Sequence, residues 1–281
     1  MTNYLLACLV ALVSFARLHA QPLVDVVDLA RNHDFAALEQ HFNALELKFE
    51  NNKATEYDLL DAYRPFYMRE DVLANELSAW TKAYPKSYPA HLARGTYYRK
   101  LGELNRGTAP ASEVSAQKFS YMDQVFAIAK PELESALRLT PKPYLAALNL
   151  LNIARYTSST EDSDRYVALS NKLLPGNMLA RGRYIDHLKP RWGGSYEKME
   201  AFVKRSRKEG VSEANLGLLR AMIDDDRGMS AQLAGNYDEA RSQYSLAMTK
   251  AKNASPRLQQ DYLDSSLSAC SQGLLTGPVC P

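Results

Sequence analysis

The chain has 281 residues, of which 34 are Lys or Arg and 32 are Asp or Glu, and its formal net charge at pH 7 is +2. A protein that binds nucleic acid displaces counterions with a strongly basic face, so this charge balance argues against nucleic acid as a partner. The most basic run, residues 204–208, precedes Gly210 at the end of a helical pattern. We expect it to be a solvated helix end, where cations complement the helix dipole.

The N-terminus has the features of a secretory signal peptide. Residues 4–16 form an apolar run interrupted only by Ser14, and Leu18-His19-Ala20 follows ahead of Pro22. This order is typical of a hydrophobic core and a small-residue cleavage site. The run is too short to cross a bilayer, so no stable membrane insertion is expected. We predict a signal peptide over residues 1–20 and a periplasmic or secreted mature protein.

Apolar residues recur at helical spacing through the rest of the chain, and no segment has the pattern of a strand. Five polar residues precede these patterns and are predicted N-caps: Asp34, Thr55, Ser87, Ser195 and Ser212. The segment from Gly107 to Ser115 is rich in Thr, Ala, Pro and Ser and is predicted to be a loop. It is expected to separate an N-terminal helical bundle (residues 21–107) from a repeat-like part (residues 116–269).

Small residues recur in the repeat-like part at a fixed spacing. Ala129, Leu133 and Ala136 precede Pro141, and Pro175 comes 34 residues later, which is the period of a tetratricopeptide repeat. Shifting the first set by the same 34 residues gives a second, weaker set: Ser163, Val167 and Ser170. In such repeats two antiparallel helices approach closely at small side chains, and a proline follows the second helix.

A further copy begins at Gly235 and runs through Tyr237 and Ala240 to Tyr244 and Ala247. These residues closely resemble the tetratricopeptide family. The resemblance implies an all-α protein of tetratricopeptide-like helical hairpins that form an irregular solenoid. It places Gly235 in the turn between paired helices, Tyr237 in the groove at the start of the second helix, and the alanines at packing positions. A chain of this kind usually provides a binding surface.

Two other segments carry a more particular resemblance. Residues 87–98 and 190–196, together with Arg106-Gly107 and the region of Pro141, are similar to a bacterial family catalogued as a domain of unknown function with tetratricopeptide-like helices. The resemblance implies a fold and a bacterial origin and assigns no activity.

The same two segments supply the candidate partner-binding residues, which are Tyr88, His91, Arg94, Tyr98, Arg191 and Trp192. The first four lie on a predicted helix beside its apolar stripe, where they could bind an acidic or planar group of a partner or hydrogen-bond a neighbouring hairpin. The last two lie in a segment interrupted by proline and glycine. They could project as binding residues, or Trp192 could fill the core of a rigid turn.

The cysteines suggest a disulfide. Cys8 lies too near the start to follow the apolar segment that a lipoprotein cleavage site requires, and it would leave with the signal peptide. Cys270 and Cys280 would then remain in an oxidising compartment, and we predict that they pair within the C-terminal tail, residues 270–281. The expected effect is to fix the end of the last helix.

Motifs that carry catalysis or metal binding do not stand out. The sequence contains no His-Glu-x-x-His, Cys-x-x-Cys, Gly-x-Ser-x-Gly or phosphate-binding loop motif. Residues 224–226 are three consecutive aspartates, and we expect them to form a solvated helix end because adjacent helical positions point about 100° apart. The sequence therefore predicts no catalytic residue, no metal site and no cofactor.

The functional interpretation is a non-catalytic protein-binding scaffold of the bacterial periplasm, whose partner is another protein or a peptide. One alternative is an immunity protein that neutralises a toxin delivered to the periplasm, which rests on analogy with small exported helical-repeat proteins. An enzyme that acts on cell-wall material is a weaker alternative, since no paired carboxylates or nucleophile stand out.

Export gives the first test. Because the apolar run ends at a small-residue site, the mature protein is expected to begin at Gln21. N-terminal sequencing of the protein from a periplasmic fraction measures this directly. Retention of Met1 in a cytoplasmic fraction would contradict both the export and the disulfide predictions.

Overall fold

The computed structural model of the protein describes residues 25–68, 73–107 and 113–275. Within these ranges the chain is helical and has no strand, which confirms the all-α class. Among the same residues, no helix is both long and apolar enough to cross a bilayer.

In chain order, the N-terminal helices are α1 (Val26–Arg31), α2 (Phe35–Glu50), α3 (Glu56–Tyr63), α4 (Pro65–Met68), α5 (Ala74–Ala83) and α6 (Tyr88–Arg106). They are followed by α7 (Ala116–Ala136), α8 (Tyr144–Tyr156), α9 (Thr160–Leu173), α10 (Leu179–His187) and α11 (Tyr196–Lys208), with a 3-10 helix (Pro190–Trp192) ahead of α11. The C-terminal helices are α12 (Glu213–Leu233), α13 (Tyr237–Ala251), α14 (Pro256–Tyr262) and α15 (Asp264–Ser271).

The predicted N-caps are confirmed. Asp34, Thr55, Ser87, Ser195 and Ser212 each precede a helix, and each side-chain oxygen accepts a hydrogen bond from the amide three residues on. At Thr55 the bond is reciprocal: the Asp58 carboxylate accepts from the Thr55 amide at 2.7 Å. These side chains satisfy amide groups that a helix start leaves without an intrahelical acceptor.

Helices α6 and α7 pack against each other along their lengths. A Cβ atom at Gly95 would lie 2.6 Å from Leu133 Cγ, and one at Gly102 would lie 2.6 Å from Phe126 Cε1. The contact moves back along α7 as it moves forward along α6, so the two helices are antiparallel. Close approach therefore uses glycines on the first helix as well as the predicted small residues on the second.

The predicted packing positions on the second helices are buried. Ala129, Leu133 and Ala136 on α7 have no exposed surface, and neither do Ala240 and Ala247 on α13. Gly235, at φ 79°, lies in the turn between α12 and α13, as the resemblance implied. Tyr237 does not fill a groove, because 54% of its surface is exposed at the start of α13.

Helices that are not neighbours in the chain also contact one another. Helix α6 packs on α8, α8 on α10 and α10 on α12, while α7 packs on α8 and α9 on α10. The boundary predicted at residues 107–116 falls between α6 and α7, which form one packing unit. The two predicted regions consequently share one continuous hydrophobic core.

The last helices return to the N-terminal part of the chain. Both terminal nitrogens of Arg257, on α14, contact the two carboxylate oxygens of Asp61, on α3, at 2.8 Å. Cys270 lies on α15, partly buried against the core. Cys280 and the predicted signal peptide (residues 1–20) lie outside the described residues, so the disulfide and the cleavage site stay predictions.

The three consecutive aspartates are not a solvated helix end. They lie in the middle of α12 with exposures of 1–3%, and each has a different partner. Lys250 Nζ contacts Asp224 at 2.5 Å, the Ser266 amide donates to Asp225 at 2.7 Å, and Arg191 Nη1 contacts Asp226 at 2.9 Å. Because a helix directs consecutive side chains about 100° apart, the three carboxylates face three neighbouring segments. The basic run at residues 204–208 does end its helix and is mostly exposed, as predicted.

The hairpin packing gives a second test. Replacing Ala136 with Leu adds three carbon atoms where no surface is exposed, and it should lower the free energy of unfolding by about 1–3 kcal/mol. Ala127→Leu is the matched control, because Ala127 is exposed on the same helix. Chemical denaturation of both variants measures the difference. Equal stability of the two would contradict the assigned contact between α6 and α7.

Candidate functional site

The main candidate site is a cavity of about 360 Å³, which we call the inner cavity. It lies where α6, α8 and α10 face α3, α4 and α14. Its lining residues are Leu60, Arg64, Tyr67, Arg99, Lys100, Glu103, Leu148, Asn152, Arg155, Tyr156, Leu179, Arg183 and Asp261.

Helix α8 contributes a polar stripe in an otherwise apolar segment. Asn149, Asn152 and Arg155 are spaced by three residues, which places them on one side of the helix. Asn149 accepts a hydrogen bond from Arg99 Nε at 2.6 Å, and Arg155 Nη1 contacts Asp186 at 3.0 Å. Asn152 is only 7% exposed, and its amide makes no hydrogen bond within the described part of the chain.

Helix α6 contributes two cations and one carboxylate. Glu103 forms ion pairs with Arg99 and with Lys100, whose Nζ lies 3.0 Å from Glu103 Oε2. Burial alone would raise the pKa of Glu103, yet the positive charges of Arg99, Lys100 and Arg155 lower it to about 2. Glu103 is therefore ionised at neutral pH, and its charge is shared between its two neighbours on α6.

Helix α10 contributes Arg183, whose side chain differs from the other arginines of the cavity. Its guanidinium lies over the Tyr262 ring, 5.8 Å from the centroid. Across the described residues, it forms no hydrogen bond and no ion pair. Burial would lower the pKa of Arg183, and the surrounding acids and Tyr262 raise it, so the group carries its positive charge.

The position of α10 is set by a buried carboxylate from another helix. Met178 caps α10 without a side-chain hydrogen bond of its own, and Glu56 of α3 supplies one in its place. A Glu56 carboxylate oxygen accepts from the Met178 amide at 2.7 Å and also faces the Leu179 amide, while the Tyr144 hydroxyl donates to its other oxygen. Carboxylates are favoured at a helix N-terminus, where amide groups point outward.

The opposite side of the same turn is held by α14. The Tyr262 hydroxyl donates to the carbonyl oxygens of Met178 and Leu179, both at 3.2 Å. A Cβ atom at Gly182 would lie 2.3 Å from the Tyr262 ring, so only glycine lets the ring pack there. Helices α3, α8, α10 and α14 are thus joined at one point next to the cavity.

The inner cavity carries an excess of positive charge. Five cationic side chains and two carboxylates line it, a surplus of three positive charges. The acids that pair with lining arginines from outside the wall are each shared with a further cation: Asp61 with Arg64 and Arg257, and Asp186 with Arg155 and Lys189. The surplus therefore persists in the surroundings of the cavity, although the whole chain is nearly neutral.

The candidate residues predicted on α6 lie against other helices. His91 Nδ1 contacts Glu132 of α7 at 2.5 Å, and Arg94 forms an ion pair with the other oxygen of the same carboxylate. The Arg94 guanidinium also lies over the Tyr98 ring, 5.7 Å from its centroid, and Tyr88 is buried. The structure thus places His91 and Arg94 against Glu132, with the Tyr98 ring beside Arg94. A role of these residues in partner binding stays a prediction.

Arg191 and Trp192 lie in the 3-10 helix, apart from that cluster. Arg191 Nη1 contacts the buried Asp226 carboxylate at 2.9 Å, and Gly193 follows in the left-handed region at φ 84°. Trp192 is 44% exposed, so it does not fill the core. Trp192 is accessible to a partner, whereas Arg191 joins the segment to α12.

The residues of the inner cavity were missed in the sequence. Asn149 and Asn152 are the signal that could have revealed them, because two asparagines three residues apart interrupt an apolar helix that is otherwise buried. Arg183 gave no such signal. Among the described residues, Arg183 forms no ion pair with the nearby acids Glu103, Asp186 and Asp261. These acids come from other helices or face other cations, which the sequence does not show.

One comparison with known proteins gives a match. Residues 22–161 match a family described as a domain of unknown function (DUF4034). The matched range includes residues 87–98, which carried part of the resemblance, and it does not include residues 190–196. No curated protein and no solved structure matches the chain. The chain is therefore similar to this family over residues 22–161, and the matched range supplies the α3, α6 and α8 walls of the inner cavity.

The contact between His91 and Glu132 predicts a pH dependence. The hydrogen bond with Glu132 raises the pKa of His91 above its usual value. The resulting stabilisation is fully present below the ordinary histidine pKa of about 6.5, and it is lost as the pH rises through the raised pKa. Glu132→Gln should lower the pKa of His91, as measured by NMR titration of its ring protons.

His187 serves as the internal control in the same spectra. Burial and the nearby Arg155 lower the pKa of His187, whose ring contacts Ser163 at 2.9 Å instead of Glu132. Its titration should be unchanged in the variant. An unchanged His91 titration would show that the two side chains do not interact in solution.

Proposed function

We propose that the protein is an exported, non-catalytic scaffold that binds a peptide or an extended segment of another protein at the inner cavity. The observation that carries this proposal is the cavity itself, which is lined by the first helices of successive hairpins and contains polar groups that no other part of the described chain engages. Concave sites with a few convergent polar groups are typical of ligand binding.

The order of helix contacts supports the proposal. Contacts that run from α6 to α8, α10 and α12 are those expected of tetratricopeptide-like hairpins stacked into an irregular solenoid. In such an arrangement the first helices line the inner surface, where a peptide is held. The buried small residues on α7 and α13 fit the same register.

The size of the cavity favours a short segment as the ligand. The volume of about 360 Å³ is at the small end of ligand sites, which typically occupy about 300–1,000 Å³. A peptide end or a few residues of a loop fit this space.

Selection of displayed peptides on the purified full-length protein tests the proposal. Selected peptides should bind about tenfold more weakly to Tyr156→Ala, because Tyr156 lines the inner cavity. Tyr121→Ala is the matched control, since Tyr121 is exposed on α7 and lies outside the cavity. Fluorescence polarisation measures the affinities.

The outcome also distinguishes the two candidate surfaces. If Trp192→Ala weakens binding and Tyr156→Ala does not, the partner binds at the 3-10 helix and the inner cavity is the wrong site. If no peptide is selected, or if none of the three variants changes the affinity, the proposed binding function is contradicted.

A further inference from the structure

We propose that the inner cavity binds an oxyanion, a carboxylate or phosphate group at the end of its ligand, through Arg183 and Asn152. This inference rests on the proposed peptide-binding function in one respect, which is that the oxyanion belongs to the bound peptide segment. The free anion can be tested without the peptide.

The first argument comes from hydrogen-bond donors without acceptors. The Asn152 amide, in a side chain that is 7% exposed, and the Arg183 guanidinium both line the cavity. In the described ranges neither makes a hydrogen bond. Leaving a donor in a partly buried site without an acceptor is unfavourable, so groups of this kind in a cavity indicate an external acceptor. An oxyanion supplies several acceptor atoms at one place.

The second argument comes from the carboxylates in the wall. Glu103 is held by Arg99 and Lys100, the latter at 3.0 Å, and Asp261 is exposed at the edge of the cavity. No acid of the wall is within ion-pair distance of Arg183 in the part of the chain that the structure describes. The surplus of three positive charges is therefore not neutralised by the residues that form the site.

The third argument comes from repulsion among the cations. Burial lowers the pKa of Lys100, Glu103 opposes that shift, and the positive charges of Arg99 and Arg183 lower the pKa further. A bound anion would relieve this repulsion and gain from all three charges, because Coulomb interactions are stronger in a partly buried site than in water.

The geometry favours a group at the end of a chain. Three cations of the wall are held over aromatic rings: Lys100 over Tyr67 at 5.5 Å, Arg155 over Tyr156 at 4.8 Å and Arg183 over Tyr262 at 5.8 Å. These contacts limit the movement of the charged groups, which are in place before a ligand arrives. Planar guanidinium donors match the oxygen spacing of carboxylates and phosphates.

Isothermal titration calorimetry on the full-length protein tests the inference with small probes. The probes are inorganic phosphate, N-acetyl-alanyl-alanine with a free carboxylate, and the same dipeptide as its C-terminal amide. We expect phosphate or the free carboxylate to bind with a dissociation constant of about 1 mM or lower. The amide should bind at least tenfold more weakly than the free acid if the carboxylate is the recognised group. Binding of phosphate alone would identify a phosphate group.

Two variants separate the cavity from general ionic attraction. Arg183→Gln should weaken binding of the preferred anion at least tenfold, and Arg183→Lys should weaken it less because the charge is retained. Arg138→Gln is the matched control. It removes the same charge from a residue that is exposed at the end of α7. Its affinity should equal that of the unmodified protein.

A measurement on the unmodified protein covers the case in which Arg183→Gln does not fold. In NMR spectra of arginine side chains, the Nε–H resonance that is missing in Arg183→Lys should move when phosphate or the free acid is added. The inference is overturned if neither anion binds, if Arg138→Gln weakens binding as much as Arg183→Gln, or if this resonance does not move. If peptides are selected but no free anion binds, the proposed peptide-binding function stands and the oxyanion site is refuted.

Discussion

The structure depends on the first turn of α10, where three distant parts of the chain meet. Glu56 accepts from the amides of this turn, and Tyr262 donates to its carbonyl oxygens. The amides at a helix start lack acceptors and a buried carboxylate lacks donors, so the helix start and the Glu56 carboxylate satisfy each other. Burial raises the pKa of Glu56, and the bonds from Tyr144, Met178 and Leu179 oppose that shift. The turn is thereby fixed between the N-terminal and C-terminal helices.

This turn also determines what the inner cavity can present. Leu179 and Arg183 lie on successive turns of α10 and both line the cavity, so fixing the first turn fixes the point from which the Arg183 side chain enters the cavity. On the facing helices, Asn149 holds Arg99 at 2.6 Å and Glu103 holds both of its cationic neighbours. Most charges of the wall are consequently paired inside the protein. Arg183 and Asn152 differ because, among the described residues, the helices around them supply no hydrogen-bond or ion-pair partner.

Local chemistry explains which features could be predicted from the sequence. N-caps such as Ser87 and Ser212 act on an amide three residues away, and small residues such as Ala136 and Ala240 repeat with the helix period. Asp224, Asp225 and Asp226 could not be interpreted in this way, because their partners are Lys250, Ser266 and Arg191. Burial of a charged residue depends on which distant side chain reaches it, and periodicity carries no such information.

The same limit applies to the candidate site. The sequence placed His91, Arg94 and Tyr98 on one side of a helix, and the structure agrees, but Glu132 could not be identified as their neighbour. Neither could the sequence show that Asn152 of α8 and Arg183 of α10 line the same cavity. The predicted division of the chain into two regions has a related limit. The segment between α6 and α7 is rich in small and polar residues, and composition does not show whether the helices on either side pack together.

The contact between Arg257 and Asp61 has a consequence for how the protein folds. These residues are 196 positions apart, whereas α6 and α7 are neighbours in the chain. Contacts between distant residues carry a larger loop-closure cost, so local hairpins form before the ends of the chain meet. During synthesis the hairpins can assemble while α14 is still missing. We therefore expect the inner cavity to be completed last, and a chain truncated before α14 to have its hairpins without a complete cavity.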